Sequence, residues 1–428
     1  MDYMMEEKFI IQGGKPLKGE VEIRGAKNAA FPVLSATLLT KETCVIENIP
    51  LIEDVLKMIK IMEQMGAEVR WTGERAIEIN SSKVKASNLP RDLVKKFRGS
   101  ILLAGSLLSR FKSVEMPPPG GCVIGARPID THLDAFRQLG VKISSEKGLY
   151  SFSRKSLAEN KREVVLREMS VTATLNMMLF SAGFPEKTVI KIADYDYQVQ
   201  DLSSVLEKMG VEVEANGARE ITISGRSKLK GFKHKLVNDP IEAGTFIVAA
   251  LATKGEVLVK NAELSFLDLF LKRLKDFGAD FQILDQKTIK VKSSGKLCMD
   301  KVQSLPYPGI SSDLQPELGV LATQAKGPTL IHDPLFEGRL RYLDQLNKMG
   351  ANMVFCDPHR AIIYGPSQLM GIEMPSSDLR AGSAMIIAGL VAKGTTTLHN
   401  IYQIDRGYEK IEIRLQKLGA DIKRRIKT

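Results

Sequence analysis

The chain has 428 residues, more than the roughly 250–300 at which a single hydrophobic core stops growing, so we expect two domains. No apolar run approaches the roughly 18 residues of a membrane span, and the acidic N-terminus does not resemble a secretory signal. We therefore expect a cytoplasmic protein. Four scattered cysteines and five histidines indicate neither a disulfide framework nor a structural zinc site.

The formal charge of +11 is spread along the whole chain and favours an anionic ligand only weakly. A nucleic-acid-binding repeat protein stays open as an alternative from another class. The absence of a basic run with interleaved aromatic residues argues against it.

The first predicted element is a strand at Lys8–Ile11 that follows no helix. After it, a short phrase built around a glycine occurs six times, at Gly66, Gly140, Gly210, Gly278, Gly350 and Gly419. The intervals between these glycines are 74, 70, 68, 72 and 69 residues, which indicates a sixfold repeat.

Each phrase follows an amphipathic stretch such as Leu202–Met209, so its glycine suits the left-handed position at a helix C-terminus. A strand, a turn and a second strand follow the glycine. An apolar helix and a short strand precede the amphipathic stretch. The repeat therefore reads strand, helix, strand, helix, strand. The last copy lacks its second hairpin strand, which we expect the N-terminal strand to supply. We predict one domain of three repeats at 22–236 and another formed by 1–21 plus 237–428, with a cleft between them.

The starts of the six apolar helices carry polar residues. Helix capping is the favoured explanation of Asp239, Asp313 and Asp378, and a functional role is the alternative. Lys27, Arg98 and Arg380 oppose the helix dipole, so capping does not explain them. We expect them to bind an anion at helix N-termini.

The second repeat differs from the others by an insertion at 117–128 that contains Pro-Pro-Pro-Gly-Gly-Cys. Prolines at the base and glycines around Cys122 are typical of a lid that closes and reopens. A thiol near a cation such as Arg127 is suited to act as a proton donor or nucleophile. We therefore predict a functional role for Cys122.

Four segments resemble the family of UDP-N-acetylglucosamine 1-carboxyvinyltransferases: 25–30 (Gly-Ala-Lys-Asn-Ala-Ala), 119–128, 378–381 (Asp-Leu-Arg-Ala) and 404–409 (Ile-Asp-Arg-Gly-Tyr-Glu). The resemblance runs from about Phe9 to Lys423. It implies an α/β fold, a two-domain inside-out α/β barrel of six repeats with the active site in the interdomain cleft. It also implies transfer of the enolpyruvyl group of phosphoenolpyruvate to the 3-hydroxyl of UDP-N-acetylglucosamine. This reaction releases phosphate, needs no cofactor and is the first committed step of peptidoglycan precursor synthesis.

The resemblance also assigns roles to residues. Cys122 matches the proton donor, which fosfomycin alkylates, and Asp313 matches the general base. Lys27, Arg127 and Arg406 match the cations that hold phosphoenolpyruvate, and Lys27 and Arg406 count with Cys122 and Asp313 as catalytic. The other matching substrate-binding positions are Asn28, Arg98, Pro128, Ile129, Asp130, Thr131, Glu168, Met169, Ser170, Val171, Leu335, Phe336, Arg339, Asp378 and Arg380. The implied partners are the two small-molecule substrates, with no nucleic acid and no membrane, for a monomer or weak oligomer.

One segment departs from the family pattern. Where the family usually shows Lys-x-Ser-x-Gly, this chain has Glu168-Met169-Ser170-Val171-Thr172. An anion thus replaces a cation expected near the diphosphate, unless Arg167 points towards the same place. A paralogous enzyme with the same chemistry and a different acceptor is therefore the main alternative.

Overall fold

A computed structural model describes residues 7–121, 124–154, 162–217 and 219–426. The chain forms two compact units. The first unit comprises Met1–Arg24, Val123–Arg127 and Asn238–Thr428, and the second comprises Gly25–Cys122 and Pro128–Val237. Within the described ranges, no helix is both long enough and apolar enough to cross a membrane.

The strands in the described ranges are β1 Glu7–Gln12, β2 Lys18–Glu22, β3 Thr43–Glu47, β4 Glu68–Gly73, β5 Ala76–Asn80, β6 Ser113–Met116, β7 Val141–Glu146, β8 Leu149–Arg154, β9 Arg162–Val165, β10 Thr188–Lys191, β11 Glu212–Ala215, β12 Glu220–Ser224, β13 Lys233–Lys235, β14 Glu256–Lys260, β15 Phe281–Asp285, β16 Thr288–Val291, β17 Lys301–Gln303, β18 Gly327–His332, β19 Asn352–Asp357, β20 Arg360–Gly365, β21 Glu373–Pro375, β22 Thr395–His399 and β23 Asp421–Ile426.

The α-helices are α1 Lys27–Ala36, α2 Glu53–Gln64, α3 Arg91–Val94, α4 Leu102–Arg110, α5 Asp130–Gln138, α6 Val171–Ser181, α7 Tyr197–Lys208, α8 Pro240–Ala252, α9 Asp268–Asp276, α10 Gln315–Gln324, α11 Leu343–Lys348, α12 Leu379–Val391, α13 Tyr402–Asp405 and α14 Ile411–Lys417. Short 3₁₀ helices lie at Thr37–Leu39, Ala86–Asn88, Arg98–Ile101, Leu264–Phe266 and Arg339–Tyr342.

Within the described ranges each unit contains three small open sheets, and all of them except β6-β8-β7 share one plan. In the second unit their strand orders are β13-β3-β5-β4, β6-β8-β7 and β11-β12-β10-β9, and in the first they are β15-β16-β14-β2, β17-β18-β20-β19 and β21-β22-β1-β23. In the four-stranded sheets one parallel pair joins an antiparallel hairpin, as in β13 with β3 and then β5 with β4. The common plan confirms the mixed α/β fold and its sixfold repeat.

The N-terminal strand β1 lies inside the last of these sheets. It pairs antiparallel with both β22 and β23, so that Phe9 is opposite Leu398 on one side and Arg424 on the other. The hairpin begun by β23 is therefore closed by residues from the other end of the chain. This pairing ties the two chain ends together within the first unit.

The repeated glycines occupy the predicted positions. All six follow an amphipathic helix and have φ between +80° and +104°, a region that L side chains rarely adopt. The amide of Gly66, for example, donates to the carbonyl of Glu63 at the end of α2, and the amide of Ala67 donates to Met62. The phrase is therefore a helix stop that turns the chain into the next strand.

The apolar helices form the cores. In the first unit α8, α10 and α12 pack on one another, and every residue of α8 is buried. In the second unit α1, α4 and α6 pack together in the same way. A helix that is apolar all round must be enclosed, as the sequence indicated. The polar residues at the beginnings of these helices are therefore held by a rigid core.

Candidate active site

Lys27 is the first residue of α1 and is almost fully buried. Its Nζ lies 3.0 Å from Oδ2 of Asp54, in the first turn of α2, and the two side chains are only 9% and 2% exposed. The helix dipole disfavours a cation at this end, and α1 has neither a side-chain N-cap nor an acidic residue in its first turn that would offset this effect. Asp54 supplies the compensating charge. The sequence pattern did not predict a role for Asp54.

Arg98 is placed beside the segment that follows the cysteine loop. It begins the 3₁₀ helix Arg98–Ile101, and its Nη2 donates to the carbonyl oxygen of Pro128 at 2.8 Å. Asn28 is half-buried on α1, Pro128 and Asp130 are exposed, and Ile129 is buried before α5. The structure thus brings Arg98 together with the predicted 128–131 segment.

The departing segment contacts the same place. Thr131 donates through Oγ1 to Oε1 of Glu168 at 3.0 Å, and Glu168 is exposed. Arg167 points elsewhere, because its Nη2 lies 2.8 Å from Oδ1 of Asp134. Met169 is exposed, and Ser170 caps α6 by accepting from the amide of Ala173 at 3.3 Å. Arg167 therefore does not reverse the charge change at Glu168.

Thr172, the second departure, belongs to a buried polar network. Its Oγ1 lies 3.0 Å from Nε2 of His132, and Nδ1 of His132 lies 2.9 Å from the amide nitrogen of Asn176. Because an amide nitrogen only donates, Nδ1 accepts and Nε2–H donates to Thr172. Burial and, to a smaller degree, the charge of Arg98 lower the pKa of His132 to about 3. The imidazole is therefore neutral and fixes α5 against α6.

Asp313 is held by two arginines in the first unit. Arg339 Nη2 lies 3.0 Å from Oδ1, and Arg380 Nη2 lies 3.0 Å from Oδ2. The two arginine side chains are 3% and 4% exposed, whereas that of Asp313 is 27% exposed. Two buried cations thus orient a carboxylate that remains open to a ligand. Such a carboxylate can accept a proton from a bound hydroxyl group.

Arg339 is held in turn by a short chain of hydrogen bonds. Its Nε donates to Oγ of Ser312 at 2.9 Å, and Ser312 donates to Oδ2 of Asp333 at 2.6 Å. The other oxygen of Asp333 accepts from the amides of Leu335 and Phe336, each at 3.1 Å. Asp333 therefore fixes both Arg339 and the predicted substrate-binding loop. Leu335 is 40% exposed at its tip.

Two residues near the end of the cysteine loop, Ala126 and Arg127, contact the loop that contains Leu335 and Phe336. Arg127 has φ +40° and lies 5.6 Å from the centre of the Phe336 ring, a cation–π contact. The amide of Ala126 donates to Oε1 of Glu337 at 2.9 Å. Cys122 itself lies outside the described residues. At Gly120 a β-carbon would lie 1.8 Å from the carbonyl oxygen of Lys95, so this position requires glycine.

Asp378 and Arg406 complete the predicted set. Oδ1 of Asp378 accepts from the amides of Arg380 and Ala381 at 2.9 and 3.1 Å, so it caps α12 and fixes the backbone of Arg380. Arg406 is buried after α13, and its Nη1 donates to Oε1 of Gln403 at 2.9 Å. In the described part of the chain no cluster of three or more His, Cys, Asp or Glu residues could hold a metal ion.

The fold and these charged groups define a class. The enolpyruvyl transferase NikO from Streptomyces tendae shares the fold with a TM-score of 0.89 and 24% identity, over 99% of this chain and 100% of its own. EPSP synthase from Acinetobacter baumannii shares it with a TM-score of 0.75 and 20% identity, over 98% of this chain and 100% of its own. The fold is that of the enolpyruvyl transferases.

Sequence comparisons narrow the class. The profile of EPSP synthase (3-phosphoshikimate 1-carboxyvinyltransferase) matches residues 11–415. UDP-N-acetylglucosamine 1-carboxyvinyltransferases from Finegoldia magna and Elusimicrobium minutum are each 40% identical, covering 95% and 98% of this chain and 96% and 98% of the relatives. The protein of that name from Treponema denticola is 37% identical over 97% of this chain and 98% of its own. The chain belongs to the enolpyruvyl transferase family.

Proposed function

We propose that the chain transfers the enolpyruvyl group of phosphoenolpyruvate to the 3-hydroxyl of UDP-N-acetylglucosamine and releases phosphate, the first committed step of peptidoglycan precursor synthesis. Relatives with this name are 37–40% identical over nearly the whole chain. The structural observation that carries the proposal is Asp313, a half-open carboxylate oriented by Arg339 and Arg380. We further propose that the enzyme works in the cytoplasm, as a monomer or weak oligomer, without nucleic-acid or membrane partners.

The proposed chemistry assigns a role to each charged group. A proton from Cys122 adds to the terminal carbon of phosphoenolpyruvate and leaves an oxocarbenium-like centre. Lys27, Arg127 and Arg406 hold the carboxylate and phosphate of the ligand while that centre forms. The acceptor hydroxyl attacks it as Asp313 takes the hydroxyl proton. Loss of phosphate from the adduct, with return of a methyl proton to the Cys122 thiolate, then restores the double bond and the thiol.

The nucleotide sugar is assigned to the remaining predicted residues. Arg98, the 128–131 segment and residues 168–171 lie together in the second unit, as the contacts from Arg98 to Pro128 and from Thr131 to Glu168 indicate. The resemblance also assigns Leu335, Phe336 and Asp378 to the nucleotide sugar. In this assignment Arg339 and Arg380 act chiefly by orienting Asp313.

Fosfomycin labelling tests the role of Cys122. The chain supplies its own controls, because Cys298 and Cys356 are exposed thiols, whereas Cys44 is buried and its burial raises its pKa to about 12. After treatment of the folded protein, mass spectrometry of peptides should find the adduct on Cys122 alone. Adducts on Cys298 and Cys356 at a similar rate would show ordinary thiol reactivity and contradict a special role for Cys122.

A second candidate function is favoured by Glu168. Its carboxylate accepts from Thr131 at 3.0 Å, and Arg167 pairs with Asp134 instead of with Glu168. An anion at this place repels a diphosphate, so the same chemistry on a less negatively charged acceptor fits the second unit. Tight binding of phosphoenolpyruvate without phosphate release in the presence of UDP-N-acetylglucosamine would favour this candidate.

A further inference from the structure

A buried carboxyl group that the proposed reaction does not use lies one helical turn after Asp313. Glu317 is on α10 and is fully buried, at 0% exposure. Its Oε1 accepts from Oγ of Ser383 on α12 at 2.7 Å and from Oγ1 of Thr245 on α8 at 3.3 Å. Its Oε2 is also buried and has no hydrogen-bond partner among the described residues. Glu317 thus lies where the three apolar helices of the first unit meet.

Stability does not account for a carboxyl group at this point. Moving an ionised carboxylate out of water costs several kcal/mol unless good partners compensate, and apolar residues in its place are often neutral or stabilising. Here hydroxyl groups are the direct partners and one oxygen has none. A destabilising group at the centre of a packed core calls for a functional explanation.

A chain of contacts connects Glu317 to Asp313. Tyr408 lies between them, because its hydroxyl is 3.4 Å from Oε1 of Glu317 and accepts from Nη1 of Arg380 at 3.0 Å. Arg380 in turn binds Oδ2 of Asp313 through Nη2 at 3.0 Å. Its Nε is buried and has no hydrogen-bond partner among the described residues. Arg380 therefore contacts Asp313 directly and is connected to Glu317 through the hydroxyl group of Tyr408.

We propose that Glu317 is a positioning residue that controls, through Tyr408 and Arg380, how firmly Asp313 is held during proton transfer. The inference rests on the proposed function, because it gives Asp313 the role of base. When Glu317 is ionised, it competes for the charge of Arg380 and leaves Asp313 a stronger base. When Glu317 is protonated, Arg380 interacts chiefly with Asp313 and weakens it as a base.

The surroundings of Glu317 shift its pKa towards neutral pH. Burial raises its pKa to about 7, opposed by the hydrogen bond from Ser383 and the charge of Arg380. The other charged or titratable groups around this cluster are Asp239 beside α8, Asp313 before α10, Arg339 and Tyr342 on the 3₁₀ helix Arg339–Tyr342, and Tyr408. On the strands that pack against α10, Lys301 and Arg360 are exposed and His332 is half-buried.

Glu317→Gln tests this role, because the amide keeps the size of the side chain and removes its ionisation. A control is Glu242→Gln on α8, because Glu242 is also buried but pairs with Arg414 and accepts from the amide of Arg24 at 2.9 Å. The full chain should be assayed from pH 5 to 9 with phosphoenolpyruvate and UDP-N-acetylglucosamine. Relative to wild type, kcat of Glu317→Gln should be unchanged below about pH 6 and fall by up to about tenfold above pH 8. Glu242→Gln should follow the wild-type profile.

A titration that needs no turnover separates this proposal from the proposed function. Carbon-13 NMR of the side-chain carboxyl groups should show Asp313 titrating at lower pH in Glu317→Gln than in wild type. An unchanged Asp313 titration, or an unchanged kcat profile in an active enzyme, would overturn the role of Glu317. If wild type shows no turnover but the Asp313 titration moves, the proposed acceptor is wrong and the link between the two carboxyl groups stands.

Discussion

The buried pair of Lys27 and Asp54 makes a strong prediction about stability. Asp54→Asn keeps the size of the side chain but removes its charge, leaving Lys27 as a cation that is 7% exposed. At 3.0 Å and an effective dielectric constant of about 20, the lost attraction is about 5 kcal/mol. Because removing one partner of a buried ion pair typically costs about 3–5 kcal/mol, we expect the free energy of unfolding to fall by about 3 kcal/mol.

The chain provides a reporter for this measurement. Its only tryptophan, Trp71, lies on β4 of the second unit, the unit that contains both charges. Urea unfolding followed by Trp71 fluorescence therefore reports on the unit that the substitution affects. The matched control is the adjacent Glu53→Gln, because Glu53 is 44% exposed and pairs with Lys57 at i,i+4. This control should cost no more than about 0.5 kcal/mol.

Phosphoenolpyruvate adds a second arm to the experiment. If Lys27 binds this anion, the ligand should raise the unfolding midpoint more in Asp54→Asn than in wild type, because it supplies the missing negative charge. A loss no larger than that of the control, about 0.5 kcal/mol, would refute the reasoning that the pair is buried and mutually compensating.

Three further predictions concern other charged groups. Glu168→Lys should lower KM for UDP-N-acetylglucosamine at low salt by roughly tenfold, because an attraction of about 1.4 kcal/mol between the new cation and the diphosphate favours binding. An unchanged KM would show that the diphosphate binds elsewhere. The pKa of His132 is about 3 in the folded state and about 6.5 in the unfolded state, so the stability that neutral His132 contributes is present above pH 6.5 and is lost as pH falls. In urea titrations, wild type should therefore lose about 2 kcal/mol of unfolding free energy between pH 7 and pH 5 relative to His132→Gln. Stability curves of the two proteins that run parallel over this pH range would contradict the prediction. Arg424 contacts Glu7 and Asp405 at 2.7 Å and Glu412 at 2.8 Å. Arg424→Met should therefore destabilise the first unit by about 2 kcal/mol. If calorimetry finds no shift in Tm, solvent screens these contacts.

The sequence was sufficient for the repeat and for the apolar helices. A glycine that ends a helix needs positive φ, and a helix that is apolar all round must be enclosed, so both features follow from local physics. The resemblance also selected Asp313, Arg339 and Arg380, and the structure places each arginine 3.0 Å from a carboxylate oxygen of Asp313. The role of each predicted site residue remains a proposal.

The missed residues carry a signal that was available but ambiguous. Asp54 follows Glu53 at the start of α2, and acids there are expected for any helix. Asp54 alone is four residues before Met58, on the apolar face, which marks it as the buried acid. Glu317 is likewise the only charged residue of α10. The direction of Arg167 was not predictable, because several rotamers of an exposed arginine have similar energies.

The central claim is that this chain transfers an enolpyruvyl group with Asp313 as the base. The most direct measurement combines phosphate release with mass spectrometry of the nucleotide sugar, for wild type, Asp313→Asn and the control Asp300→Asn, whose side chain is 75% exposed. We expect wild type and the control to release one phosphate for each enolpyruvyl-UDP-N-acetylglucosamine formed, and Asp313→Asn to lose at least about a hundredfold in kcat. Phosphate release without the enolpyruvyl product, or an Asp313→Asn variant as active as the control, would contradict the account.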